Sequence, residues 1–233
     1  MLRFNKHQRK LVFIHPGKCG GSTIRYCIEN SGFREKYCLD KDGYTHSHTR
    51  RFAYKKNTDY IIALRNPLHR MVSAWNWRKH LVIDEGQNGI DGEDFVLEKY
   101  QTLNNIAKEL CNDDGSINKK MMERINEVGH FKRGINFHLH GVIKFLTPVN
   151  THIICQERLN ADLLTLGMKA NKRLKEHRSN VSKEDLTLDP VSVDSLVKAF
   201  AKEYRCIDQL YERRVLSNAQ YASLSSKVYV NPD

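Results

Sequence analysis

The stretch "LVFIHPGKCGGSTIRYCI", Leu11 to Ile28, decides how the chain reads. Four apolar residues run into a Pro-Gly pair, the pattern of a buried strand entering a turn. Beyond the turn Ile24, Cys27 and Ile28 fall at helical spacing; Ser22 can cap that helix and Gly32 can end it. Between strand and helix lie Gly17, Gly20 and Gly21 with Lys18. Glycines let backbone approach an anion closely, the free N–H groups of a helix start point at it, and a lysine adds full charge. Glycines alone would suit any tight strand-to-helix turn, but Lys18, Ser22 and Thr23 favour an anion site. The nucleotide-triphosphatase pattern GxxxxGK[ST] sets its lysine after the last glycine and directly before Ser or Thr. Here Lys18 precedes Gly20 and Gly21, and Ser22 stands four residues on.

A second unit has the same order. "DYIIALR", Asp59 to Arg65, predicts a strand, Pro67 suits the first turn of a helix, and Leu68, Met71, Val72 and Trp75 give that helix one apolar face. Arg65 at the strand end and Ser73 two helical turns on can converge on one phosphate. Two such turns on neighbouring strands imply a ligand with two separated phosphate-like groups. "THIICQ", Thr151 to Gln156, predicts a third strand, followed by a short helix closed by Gly167. Helical patterns fill 95–128 around "CNDDGS", 84–94 reads as a polar surface loop, and 190–213 reads as one helix with Val193, Leu196, Val197, Phe200, Tyr204, Ile207 and Tyr211 on a face. Strands alternating with helices predict an α/β fold, a central parallel sheet flanked by helices. We expect a single domain over residues 1–233, with 81–150 a helical elaboration.

Composition narrows the partners. The 233 residues carry a net charge of +11. Residues 1–80 hold 17 Lys and Arg against 5 Asp and Glu, whereas the remainder holds 21 against 22. The excess therefore belongs to the segment with the glycine turn, which favours an anion held at one place over a general nucleic-acid coat. The six cysteines form no CxxC pair, which argues against a zinc site or a disulfide framework. No apolar run is long enough to span a bilayer.

"FIHPGKCGGSTI" resembles the 5′-phosphosulfate loop of sulfotransferases that use 3′-phosphoadenosine 5′-phosphosulfate (PAPS). "ALRNPLHRMVSAW" resembles their 3′-phosphate segment, of the form R-[DN]-P-x-x-R-x-x-S, in the same order. "IICQERLNADLLTLG", "HRSNVS" and "YRCIDQLY" are similar to later family segments, with the carbohydrate (heparan/chondroitin-type) branch the nearest. The resemblance covers residues 11–80 well, 150–213 more weakly, and 81–130 not at all. It implies a P-loop-kinase-like sulfotransferase fold, with 81–150 on the acceptor side. It also implies transfer of a sulfuryl group from PAPS to a hydroxyl, leaving 3′-phosphoadenosine 5′-phosphate (PAP), without a metal.

By the same resemblance Lys18, Cys19, Gly20, Gly21, Ser22 and Thr23 would hold the 5′-phosphosulfate, and Arg65 and Ser73 the 3′-phosphate. Arg178 and Asn180, in a basic C-terminal loop, would close over the cofactor. Lys18 would also stabilise charge on the departing phosphate. A general base is needed for the acceptor hydroxyl, and histidine suits neutral pH. "YTHSHTRRF" offers His48, our preferred choice, and His46, which shares its face in an extended segment. Trp77 leaves the apolar stripe of its helix and could line an acceptor cleft. His138 and His140 have metal-like spacing without a third ligand. The acceptor is expected to be a saccharide. The protein is expected to be cytoplasmic or the soluble part of a longer Golgi-type protein. The alternative reading is a P-loop nucleotide kinase or triphosphatase.

Overall fold

The structure is a computed structural model and describes residues 10–30, 44–47, 53–168 and 187–229. The glycine-turn unit forms β1 (Lys10–Ile14) and α1 (Gly21–Asn30). A strand that the apolar pattern does not announce, β2 (Tyr44–Ser47), follows. The second unit forms β3 (Thr58–Leu64) and α2 (Pro67–Lys79). Short helices α3 (Glu93–Tyr100), α4 (Leu103–Ala107), α5 (Lys119–Ile125) and α6 (Ile135–Leu139) lead to β4 (Thr151–Cys155) and α7 (Leu159–Thr165). The C-terminal part holds α8 (Pro190–Ala199), α9 (Ala201–Glu212) and α10 (Asn218–Ser225).

All four strands are parallel, in the order β2-β1-β3-β4. Every residue of β3 is buried, which is why its sequence is a nearly continuous apolar run. Alternate side chains divide between two faces. Phe13, Ile61, Ala63 and Ile154 pack with Ile24 and Ile28 of α1 and Leu163 of α7. Val12, Ile14, Tyr60, Ile62 and Ile153 pack with Ile135 of α6, Ile207 of α9 and Leu224 of α10. Helices thus flank both faces of the sheet, as expected. A separate helical core joins Leu68, Met71, Val72 and Trp75 of α2 to α3, α4, α5 and α8.

The helix expected over 190–213 is two helices. The chain breaks at Phe200, whose ψ of 28° is not helical. Leu196 and Phe200 belong to the helical core, whereas Cys206, Ile207 and Leu210 belong to the core under the sheet. The break re-aims one amphipathic pattern at two different cores. The acidic loop is also shorter than expected: Glu93 begins α3 and is fully buried.

Asn66 closes the β3–α2 turn. Its side-chain oxygen caps α2 by accepting from Leu68 N–H at 2.9 Å, and its amide donates to the carbonyls of Ser223, Leu224 and Ser226. One buried amide thus starts α2 and ties it to the end of α10. Asn66→Asp keeps the cap acceptor but turns a carboxylate toward those carbonyls. We expect it to lower unfolding stability by roughly 2 kcal/mol or more. Urea denaturation checks this; wild-type stability in the variant would show that the amide donors matter little.

Candidate anion-binding site at the carboxyl edge of the sheet

β1 hands the chain through α1 to β2 on one side, whereas β3 hands it through α2 toward β4 on the other. The carboxyl ends of β1 and β3, where Ile14 pairs with Ile62, therefore flank the point at which strand order reverses. In open α/β sheets the crevice outside such a point is where ligands bind.

The turn after β1 is tightly determined. Lys18 and Gly20 both have left-handed backbone, φ 69° and 74°. Cys19 N–H donates to the Pro16 carbonyl at 3.3 Å. A Cβ on Gly20 would stand 1.8 Å from Oε1 of Gln156, one on Gly21 2.1 Å from Nδ1 of His15, and one on Gly17 2.2 Å from Nδ1 of His130. Gly17 and Gly21 are thus hemmed in by the histidine rings pressed against them, and Gly20 is favoured by its φ, with the end of the flexible Gln156 side chain beside it. The helix starts at Gly21, so Ser22 is inside its first turn and does not cap it. The N–H groups of that first turn have no carbonyl of their own helix to meet.

Cys19 sits differently from the rest of its motif. Its side chain is fully buried in the core beneath the turn, and burial pushes its thiol up to about 12. It is a neutral packing group, and its N–H is engaged within the turn.

Arg65, at the end of β3, donates from Nη1 to the Lys18 carbonyl at 3.3 Å, so the two turns are directly joined. Its Nε is buried and has no hydrogen-bond partner among the described residues. Burial lowers its pKa, partly offset by the nearby carboxylate of Glu157. Glu157 accepts from Asn66 N–H at 2.9 Å and meets the His69 ring at 3.3 Å. Burial and then the charge of Arg65 bring the Lys18 ammonium down to about 8. That ammonium lies 4.5 Å from the centre of the Trp77 ring.

Helix α2 faces two ways. Its apolar stripe enters the helical core, while Arg70, Ser73 and Trp77, at i, i+3 and i+7, form the opposite stripe. Ser73 is half-buried, and through Trp77 its face of the helix meets Lys18. Arg70 is completely buried; Nη1 donates to the His130 carbonyl at 2.9 Å, while Nε and Nη2 have no partner among the described residues.

The helical segment after α2 reaches this turn through His130, which has left-handed backbone at φ 73°. Next to it, Gly129 N–H donates to Glu93 at 2.7 Å. Glu93 also accepts from Arg78 Nε and Nη2, at 2.7 and 2.8 Å, and from Ile90 N–H at 2.8 Å. Burial pushes the Glu93 carboxyl upward, but these donors outweigh it and hold the group below its ordinary value. Below Arg70, Glu203 accepts from the N–H groups of Ile135 and Asn136, and burial raises its pKa despite the Arg70 charge.

Lys18, Gly20, Gly21, Ser22 and Thr23 follow β1 directly, and Arg65, at the end of β3, is joined to Lys18; Ser73 lies further along α2, half-buried. His46 lies in β2, paired with Phe13, and β2 ends beside Ile14 at the same edge. His48, Arg178 and Asn180 lie outside the described residues. His138 is buried and His140 exposed, so they do not form a pair. Residues not foreseen are Arg70, His130, Gln156 and Glu157. Of these, Arg70, Gln156 and Glu157 lie within the resembling segments, as the second arginine of R-[DN]-P-x-x-R and the Gln and Glu of "CQER".

No family model, curated protein or solved structure matches the chain. The site must therefore be judged on its own chemistry: two cations, a helix start and hydroxyls at a strand-order reversal, an arrangement suited to an anion. Among the described residues no helix is long and apolar enough to cross a membrane.

Gly20 offers a direct test of the turn. Gly20→Ala should cost roughly 2 kcal/mol or more through left-handed strain and the collision with Gln156. In a Gln156→Ala background the cost should fall to about 1 kcal/mol, the strain alone. Equal costs in both backgrounds, measured by denaturant unfolding, would remove Gln156 from the argument.

Proposed function

We propose that the chain is a PAPS-dependent sulfotransferase acting on a hydroxyl group of an acceptor, a carbohydrate by the family resemblance. The observation that carries this reading is the Arg65 to Lys18 hydrogen bond at the strand-order reversal, which joins the two segments that the resemblance assigns to opposite ends of one nucleotide. The fit of such a ligand is supported by the buried Arg65 Nε and Gln156 Oε1, polar atoms beside the turn without partners among the described residues. A triphosphatase would need its lysine beyond the last glycine, directly before Ser or Thr, and Lys18 is on the other side.

In this reading Lys18, Gly20, Gly21, Ser22 and Thr23 hold the 5′-phosphosulfate, with Cys19 shaping the turn from below. Arg65 and Ser73 hold the 3′-phosphate, and Arg178 and Asn180 remain candidates for the cofactor loop. PAPS supplies a sulfuryl group whose bond to the phosphate oxygen breaks as the acceptor oxygen bonds to sulfur. The chain's own residues position and stabilise charge. The α1 N–H groups and the Lys18 ammonium favour negative charge at the turn, as in phosphoryl transfer. His48, or His46 from the end of β2, takes the acceptor proton.

Calorimetry with PAP tests the reading. Wild-type protein should bind PAP in preference to magnesium-ATP, and Lys18→Ala or Arg65→Ala should each weaken binding by roughly ten- to a hundredfold. His48→Ala should leave PAP binding intact and abolish turnover with labelled PAPS across a panel of hydroxylated acceptors. No PAP binding by the wild type, or a preference for magnesium-ATP, would sink the proposal.

The Lys18 pKa of about 8 sets a pH dependence. The ammonium is charged below that value, and a bound phosphate raises its pKa further. PAP affinity should therefore be flat with respect to this group below pH 8. It should fall above that by at most ~tenfold per pH unit, and Lys18→Ala should lose this dependence. The same shift acts on stability with the opposite sense. Because the folded value is depressed, the unfolded chain binds more protons between pH 8 and 10.5, and Lys18 destabilises the ligand-free fold less as pH rises through that window.

A further inference from the structure

Both ends of Lys18 are held by elements other than its own turn. Its carbonyl accepts from Arg65 at the end of β3, and its ammonium lies 4.5 Å from the Trp77 ring centre on α2. A free lysine side chain has many rotamers, and the ring favours one of them in the ligand-free protein. Trp77 is half-buried, and the His80 ring stands 6.2 Å from it between centroids. His80 is in turn held by Asp84 and Glu85, at 3.2 and 3.1 Å. The indole thus stands between the Lys18 ammonium and the His80 ring. The apolar packing of α2 leaves Trp77 unexplained: Trp75 supplies the buried aromatic of this helix, set edge-on to Phe131.

We propose that Trp77 is a positioning residue for Lys18: its indole face holds the ammonium beside the anion turn in the ligand-free protein, and a phosphate arriving in the turn takes the ammonium and uncovers the indole. This rests on the sulfotransferase reading for the identity of the phosphate ligand. The direction of exchange follows from charge. An ammonium attracts a phosphate oxygen as one full charge attracts another, whereas a ring offers only its quadrupole. The nearby Arg65 guanidinium repels the ammonium, and the ring compensates part of that repulsion until an anion replaces it. Binding then converts the indole from a seat for Lys18 into an exposed apolar face next to the reacting group, so donor loading and exposure of that face are coupled.

The two tryptophans allow a spectroscopic test, because Trp75 is fully buried and acrylamide reaches Trp77 first. In the wild type, saturating PAP should increase acrylamide quenching of tryptophan emission. In Trp77→Phe that increase should be lost while calorimetry still detects PAP. In Lys18→Ala the ligand-free protein should already quench like PAP-bound wild type, a readout that holds without folding of any Trp77 variant. Because the cation–π contact is given up when the phosphate takes the ammonium, Trp77→Ala should tighten PAP binding in calorimetry by up to roughly two- to thirtyfold, the range of cation–π free energies, and Trp77→Phe should tighten it less. PAP binding without a change in quenching, or a change that persists in Trp77→Phe, overturns the role of Trp77 and leaves the sulfotransferase reading standing. Absence of PAP binding overturns both.

Discussion

The parallel pairing of β1 with β3 is the constraint on which the site depends. Ile14 opposite Ile62 brings the two strands to the same edge, and the chain then leaves them in opposite directions. Neither strand could be exchanged for an edge strand without losing this. β1 lies between β2 and β3, and β3 between β1 and β4, so both are buried on two faces and their carboxyl ends are fixed within the sheet. The glycine turn and Arg65 inherit that rigidity. A hydrogen bond from Arg65 to the Lys18 carbonyl is possible because two segments 47 residues apart in sequence end beside each other.

Near this edge the protein buries several polar side chains, Asn66, Glu93 and Glu203 among them, and each has a mechanical consequence. Asn66 ties the β3–α2 turn to α10. Glu93 gathers Arg78, Ile90 and Gly129, and so fixes the segment that presents His130 to Gly17. Glu203 receives the start of α6 beneath Arg70. An isolated buried carboxylate would be costly, but one that accepts several hydrogen bonds acts as a polar joint between segments. Glu93 is the clearer joint, since its donors hold it ionised. Glu203 has fewer donors, and burial keeps its pKa high. The helical region over 81–150 is in this way mechanically connected to the anion turn through a backbone carbonyl, that of His130, held by Arg70.

The fold was legible where burial is two-sided. β1, β3 and β4 read as continuous apolar runs because both their faces meet helices, and α2 declared its apolar stripe through Leu68, Met71, Val72 and Trp75. β2 was not legible as a strand of the sheet: "YTHS" has no apolar run, and its place comes from pairing with β1. The break at Phe200 carries no glycine or proline and follows from which core each half-helix meets, a fact of tertiary packing. In the site, Lys18, Gly20 and Arg65 were legible because turn chemistry is local. Glu93 looked like one more acid of a surface loop, since only its distant partners distinguish it. His130 in a left-handed conformation has no local signature at all; glycine would be the ordinary choice there.

The position of Lys18 before the glycines has a structural consequence that a lysine after them would lack. Set at φ 69° in the turn itself, its side chain leaves the turn away from the helix axis and crosses to Trp77 on the neighbouring helix. A lysine in the first turn of α1 would instead stand on that helix and follow its axis. The observed placement puts a charge between the two strand-turn-helix units. The inverted order Lys18, Gly20, Gly21 thus joins the two units through one side chain, which a lysine placed on α1 would not do.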